Sequence, residues 1–177
     1  GEVEDVFDLE KTTFPTVRYY LTLEQELMKA GIRYEYVEAG EVMDFDGYRR
    51  AVGETLDRGG PDGVDAVVSS DIGASFCVRE ALRRGITIPQ DLQIVAYDGT
   101  YLTDLAGMKT TAVVQDFVAI TQTVADHITQ AIADEDAAAA KASLRKDDNP
   151  FEPSVLIPVT LALGDTTRAV SAAADHS

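Results

Sequence analysis

Short apolar runs alternate along the chain with longer segments in which apolar residues recur every three or four positions. The longer segments predict amphipathic helices, because that spacing places the apolar side chains on one face. The predicted helices lie between Thr12 or Thr13 and Gly31, between Asp44 or Asp46 and Gly59, over Ile72–Arg84 and over Phe117–Ala133. The short runs predict strands at Val3–Phe7, Ile32–Val37, Val64–Val68, Leu92–Tyr97, Thr111–Val114 and Val155–Leu161.

Strands that alternate with amphipathic helices are typical of an α/β fold. Because the crossover connections of such folds are right-handed, the order predicts a doubly wound parallel sheet with helices on both faces. In these sheets ligands bind beyond the carboxyl ends of the strands. The residues that fall there are Gly40-Glu41, Ser69-Ser70-Asp71 and Asp98-Gly99-Thr100, each set after a different predicted strand.

Three of these residues each have a structural and a functional interpretation. Asp98 can accept hydrogen bonds from two neighbouring hydroxyls of a sugar ring, but Asp-Gly is also common in turns. Ser70 and Asp71 open a predicted helix, so either can be its N-cap. A cap residue can also contact a ligand, because it lies beside the free N–H groups of the first helical turn.

The composition describes a folded domain with a strongly acidic surface. The chain has 177 residues, of which 45% are hydrophobic, and its formal net charge is −16. That apolar content is sufficient for a core, and the charge repels nucleic-acid phosphates and anionic lipid. We therefore expect this chain not to bind DNA by itself. It contains no apolar stretch long enough for a membrane span, and no secretory signal is visible, as would also hold for a processed or trimmed chain.

The residues needed for metal, redox or nucleophilic chemistry are scarce. Cys77 is the single cysteine, and the chain has two histidines. An internal disulfide and a Cys- or His-rich metal site are thereby excluded. The phosphate-binding Gly-rich loop and the Gly-x-Ser-x-Gly nucleophile turn are both absent from the sequence. We expect neither a metal nor a cofactor, and the sequence favours a protein that is not an enzyme.

Several segments, in order and at matching spacing, resemble the effector-binding domain of bacterial transcription regulators of the lactose-repressor/galactose-repressor (LacI/GalR) family. The most specific of them is Gly85–Asp98, which reads Gly-Ile-x-Ile-Pro-x-Asp-Leu-x-Ile-Val-x-Tyr-Asp. Ser70 stands where the family usually has Asn, and Tyr19 stands where it usually has Arg. The other matching segments are Gly47-Tyr48, Asp65–Ala74, Thr110–Phe117, Ile157-Pro158 and Thr166-Thr167.

The resemblance implies a periplasmic-binding-protein-like fold that senses a small molecule, which we expect to be a sugar. Binding between two lobes would control DNA binding by a separate helix-turn-helix domain, as in a cytoplasmic, homodimeric repressor. The alternative is a periplasmic sugar-binding protein of a transport system, which has the same two-lobe fold. The ligand-binding residues expected are Asp98, Asp71, Ser70 and Phe117. The residues expected at the dimer interface are Ser75, Leu102 and Leu105.

The resemblance also implies a division of the chain. Residues 1–116 and 151–168 are expected to form the C-terminal lobe of the effector-binding domain, and 169–177 a flexible tail. Residues 117–150 are expected to form a crossover helix and a linker, both of which belong to the N-terminal lobe. Most of that lobe has no matching segment in this sequence. Because the apolar residues of that helix would lose their cover, we expect it to fold onto its own sheet or to pack against another copy.

Overall fold

The computed structural model describes residues 15–40, 44–58, 63–104, 107–133, 155 and 157–169. The chain separates into two compact units. One unit comprises the described residues of Gly1–Tyr36 and Gln122–Leu156, and the other those of Val37–Thr121 and Ile157–Ser177. The predicted division into a C-terminal lobe (1–116 and 151–168), a crossover segment (117–150) and a tail (169–177) stays a prediction.

The second unit is built on a four-stranded sheet with the strand order β1-β2-β3-β4. β1 pairs in parallel with β2 and β2 in parallel with β3, whereas β4 runs antiparallel to β3. The α/β class is therefore confirmed, with an antiparallel strand at one edge that the sequence did not indicate. The strands are β1 (Ala66–Ser70), β2 (Gln93–Asp98), β3 (Thr111–Val114) and β4 (Thr160–Ala162).

The helices of the chain are α1 (Pro15–Lys29), α2 (Phe45–Asp57), α3 (Asp71–Arg84) and α4 (Phe117–Ala133). Local signals determine where several of them begin and end. The Asp44 side chain accepts a hydrogen bond from the Gly47 N–H at the start of α2. Ser70 caps α3 in the same way, and Gly85 ends α3 in the left-handed conformation that glycine adopts without strain. The predicted helices are thus confirmed.

The core of this unit lies between α3 and the sheet. Ala74, Val78 and Ala81 on α3 are fully buried, as are Ile94 and Ala96 on β2. Ile94 and Ala96 are two positions apart, so their side chains point to the same face of the strand. α2 then packs against the outer side of α3. The sheet and α3 therefore share one hydrophobic core, and α2 covers part of α3.

The segment after β4 is tied to the middle of the sheet by a fully buried threonine. Thr166 Oγ1 donates to the Ile94 carbonyl at 2.6 Å and accepts from the Thr111 N–H at 2.9 Å. The Thr166 carbonyl accepts a third bond from the Ile94 N–H at 2.9 Å. One residue thus bridges β2 and β3 and satisfies its buried polar groups.

The first unit contains α1 and the segment that follows it. Tyr34 and Tyr36 donate hydrogen bonds to the Glu24 carboxylate of α1. The predicted strand Ile32–Val37 is wrong, because the segment forms no sheet pairing and its tyrosines turn back to the helix. A strand needs a partner, and the alternation of its residues alone does not supply one. The strand predicted at Val3–Phe7 lies outside the described residues.

One of two further expectations for this fold differs from the structure. The last strand was predicted at Val155–Leu161, but its ladder with β3 covers only Thr160–Ala162. In α4, Val124 and Ile128 are 52% and 55% exposed. The expectation that α4 folds onto its own sheet or packs against another copy stays a prediction.

Candidate functional site

The carboxyl ends of β1, β2 and β3 lie side by side at one edge of the sheet. Ser70 is in register with Tyr97, and Asp98 with Val114. The residues that end these strands, or follow them directly, are therefore neighbours although they are far apart in sequence. This edge is the candidate functional site.

Asp98 is the half-buried carboxylate at the centre of this edge. Its Oδ1 accepts a hydrogen bond from Gln115 Nε2 at 2.6 Å. Within the described part of the chain, no donor contacts its Oδ2. Burial raises the pKa of Asp98, the Gln115 hydrogen bond lowers it, and the charge of Asp71 raises it. Asp98 is thus a carboxylate with one engaged and one available oxygen.

Asp71 lies next to Asp98 but makes different contacts. Its side chain is 3% exposed. Its Oδ1 accepts from the Gly99 N–H at 3.2 Å and its Oδ2 from the Thr100 N–H at 2.5 Å. Both oxygens therefore accept hydrogen bonds from the turn that follows β2.

The turn after β2 has an unusual backbone. Asp98 has φ +96° and Gly99 has φ +67°. Positive φ is uncommon for residues other than glycine, although Asp and Asn adopt it more readily than most. A Cβ at Gly99 would lie 2.5 Å from Val114 Cγ2 and 2.8 Å from Val114 Cα. Only glycine fits between this turn and β3.

Ser70 and Phe117 lie at the same edge as Asp98. The Ser70 hydroxyl accepts the Gly73 N–H at 3.3 Å, which is the capping role that the sequence left open beside ligand contact. Phe117 begins α4 two residues after Gln115, and its side chain is 50% exposed. The structure therefore brings the four residues predicted to bind a ligand to one edge, and their contact with a ligand stays a prediction.

Gln115 is the residue of this edge to which the sequence analysis assigned no role. Besides the side-chain bond, its backbone N–H donates to the Asp98 carbonyl at 3.3 Å. Its position directly after an apolar strand is the feature of the sequence that could have identified Gln115 as a site residue. That feature becomes specific only when β3 is known to lie beside β2.

The residues predicted at a dimer interface lie on the same unit. The Ser75 hydroxyl donates to the Leu102 carbonyl at 2.8 Å, which joins the start of α3 to the short 3-10 helix Tyr101–Asp104. Leu105 lies outside the described residues. Ser75 and Leu102 thus lie next to each other, and their contact with a second copy stays a prediction.

The described residues also bear on membrane insertion and metal binding. None of the helices there has the length and apolar content needed to cross a membrane. In the same part of the chain, no cluster of three or more His, Cys, Asp or Glu side chains has an arrangement that could hold a metal ion.

Solved structures with the same fold are numerous. A LacI-type transcription regulator from Bifidobacterium animalis matches with a TM-score of 0.68 and 16% identity over 95% of this chain and 55% of its own. The transcriptional regulator CelR in complex with cellobiose matches with a TM-score of 0.62 and 22% identity over 85% of this chain and 42% of its own.

The Lac repressor dimer bound to operator and the anti-inducer ONPF gives a TM-score of 0.62 and 22% identity, over 86% of this chain and 49% of its own. The chain thus spans about half the length of the solved structures that it matches. A search of curated protein sequences found no match. The sequence itself matches the family of periplasmic binding protein-like domains over residues 10–167. Because this match extends over far more than half of the chain, the protein belongs to the periplasmic-binding-protein-like domain family.

Proposed function

We propose that this chain is the ligand-sensing part of a bacterial transcription repressor and that its ligand is a sugar bound at Asp98. The observation that carries the proposal is the Asp98 carboxylate at the sheet's carboxyl edge, with Oδ1 bonded to Gln115. Sheets of this kind bind ligands beyond the carboxyl ends of their strands. The LacI-type regulators among the structural neighbours support a sensing role, and the cellobiose bound to CelR supports a sugar.

A hydroxyl-bearing ligand suits the chemistry of this edge. A partly buried carboxylate is costly unless its oxygens accept hydrogen bonds. A sugar hydroxyl donating to Asp98 Oδ2 would offset part of that cost. The exposed ring of Phe117 could pack against the apolar face of a sugar ring at the same edge, and Ser70 offers a further hydroxyl.

The proposed mechanism is a population shift without chemical turnover. Binding in the cleft between the two lobes of the complete regulator would favour one of two lobe arrangements. That preference would be transmitted to the spacing of the DNA-binding domains in a cytoplasmic dimer, whose interface would include Ser75, Leu102 and Leu105. The DNA contact itself requires a separate basic domain, because the net charge of this chain is −16.

The test is an NMR titration of the chain with a panel of mono- and disaccharides that includes cellobiose. We expect shifts of the Gly99, Thr100 and Gln115 amides, and we expect Asp98→Ala to need a much higher sugar concentration for the same shifts. Loss of a hydrogen bond to a charged group corresponds to roughly a 10- to 150-fold loss of affinity. The matched control is Asp65→Asn, which alters an exposed carboxylate just before β1, at the opposite edge of the sheet.

Two outcomes would contradict the proposal. If Asp98→Ala binds a sugar as tightly as the unaltered chain, Asp98 serves turn geometry only. If no sugar shifts any amide of the sheet's carboxyl edge, even at the high concentrations that weak binding to a single lobe requires, the sugar assignment fails.

A further inference from the structure

Asp71 is placed to act through another residue and not by direct contact with a ligand. Its two oxygens accept from the Gly99 and Thr100 N–H groups, and its side chain is buried. A carboxylate oxygen with a backbone donor and little solvent access is poorly placed to receive a ligand hydroxyl as well. Its hydrogen bonds reach from the first residue of α3 to the turn after β2.

That turn requires such support. It places a non-glycine residue, Asp98, at φ +96° and the next residue at φ +67°. Backbone conformations of this kind persist where the surrounding structure holds them, and they concentrate at functional sites. The two N–H groups that donate to Asp71 belong to Gly99 and Thr100, the two residues directly after Asp98.

Gln115 holds Asp98 from the other side. Its backbone N–H donates to the Asp98 carbonyl, and its side-chain amide donates to Asp98 Oδ1. The backbone contact fixes the peptide of Asp98, and the side-chain contact selects which carboxylate oxygen is engaged. The other oxygen, Oδ2, then has a defined direction.

We propose that Asp71 and Gln115 are positioning residues that together hold the Asp98 carboxylate with Oδ2 directed to the ligand. The inference rests on the proposed function, in which Asp98 is the residue that binds the ligand. It gives Asp71 a different role from the direct ligand contact expected from the sequence. Asp71 sets the turn, and Gln115 sets the carboxylate.

The first test needs no ligand. Asparagine at position 71 retains one acceptor oxygen and presents an N–H₂ donor to the other amide. We therefore expect Asp71→Asn to speed hydrogen exchange of the Gly99 or Thr100 amide by roughly 10- to 150-fold. The matched control is Asp165→Asn, because Asp165 also accepts a backbone N–H, that of Lys109, away from this edge. Unchanged exchange at both turn amides in Asp71→Asn would overturn the role of Asp71.

The second test reads the Asp98 carboxyl by carbon-13 NMR titration. The Gln115 hydrogen bond lowers the pKa of Asp98 and the Asp71 charge raises it. Gln115→Met should therefore raise this pKa, and Asp71→Asn should lower it. A general loosening of the edge would expose Asp98 and lower its pKa in both variants, which would overturn the proposal. If Asp71→Asn does not fold, the pKa of Asp98 in Gln115→Met decides the test. That variant leaves the turn and the two hydrogen bonds from the Gly99 and Thr100 N–H groups to Asp71 in place.

The third test uses cellobiose as the probe in a double-mutant cycle. If Asp71 acts through Asp98, Asp71→Asn should weaken binding about tenfold or more in the unaltered chain and have no further effect with Asp98→Ala. Additive losses would show that Asp71 does not act through Asp98. If cellobiose does not bind at all, the sugar assignment loses support, while the exchange and titration results still decide the positioning role.

Discussion

Gly99→Ala is the substitution whose effect can be worked out most directly from the structure. The new Cβ would lie 2.5 Å from Val114 Cγ2, 2.8 Å from Val114 Cα and 2.9 Å from Val114 Cβ. Since two of these atoms belong to the β3 backbone or attach directly to it, rotation of the valine side chain cannot remove the clash. The turn or the strand must move instead.

Two contributions add to the expected loss of stability. An alanine held at φ +67° costs roughly 1–2 kcal/mol relative to glycine. The steric conflict with β3 adds roughly 1–3 kcal/mol, which is the usual range for overpacking. The sum, roughly 2–5 kcal/mol, is a large part of the roughly 5–15 kcal/mol that stabilises a typical domain.

Gly85→Ala is the matched control for this substitution. Gly85 has φ +73°, and no atom lies within 4 Å of its hypothetical Cβ. It should therefore lose only the conformational part, roughly 1–2 kcal/mol. The measurement is urea unfolding followed by far-UV circular dichroism, which suits a chain without tryptophan. If Gly99→Ala loses no more stability than Gly85→Ala, the close approach of the turn to β3 is wrong.

Three further predictions concern other parts of the sheet unit. Thr166→Val should lose roughly 1–3 kcal/mol in the same urea assay, because it leaves buried backbone groups of two strands without partners. Hydrogen bonds from Arg83 and Arg84 lower the pKa of Glu80 to about 2, so the stability that Glu80 contributes above its ordinary pKa should disappear as the pH falls toward 2. Glu80→Gln should flatten that part of the pH–stability curve, and an unchanged curve would contradict the ion pairs. Burial raises the pKa of the Cys77 thiol to about 12, so an aromatic disulfide reagent at neutral pH should modify it only after urea unfolding.

The helices and the main strands could be predicted because their signals are local. Asp44 and Ser70 mark helix starts through hydrogen bonds to an N–H three residues later, and Gly85 marks a helix end through its own backbone conformation. Such contacts form within one helical turn and need no other part of the chain. The α/β class followed from the order of these elements.

Whether an apolar segment forms a strand, and in which direction it pairs, depends on a partner strand that a local sequence pattern does not reveal. The apolar alternation of Ile32–Val37 resembles that of a strand, but its tyrosines bond to Glu24 of α1. β4 is shorter than the apolar run that contains it and lies antiparallel to β3. Pairing and direction were decided by which strand edge each segment reaches.

The candidate site shows the same division between sequence and structure. Asp98, Asp71 and Ser70 were predicted from the sequence alone, because each lies at the end of an apolar strand and parallel strands share one carboxyl edge. What each residue does there was decided by contacts across about 17 to 29 residues of chain, such as Gln115 to Asp98 and Asp71 to Thr100. A hydrogen bond over such a distance exists only when the sheet has assembled. The sequence therefore determined which chemistry is present at the edge, and the tertiary structure decided which oxygen of Asp98 accepts the Gln115 amide and which has no donor among the described residues.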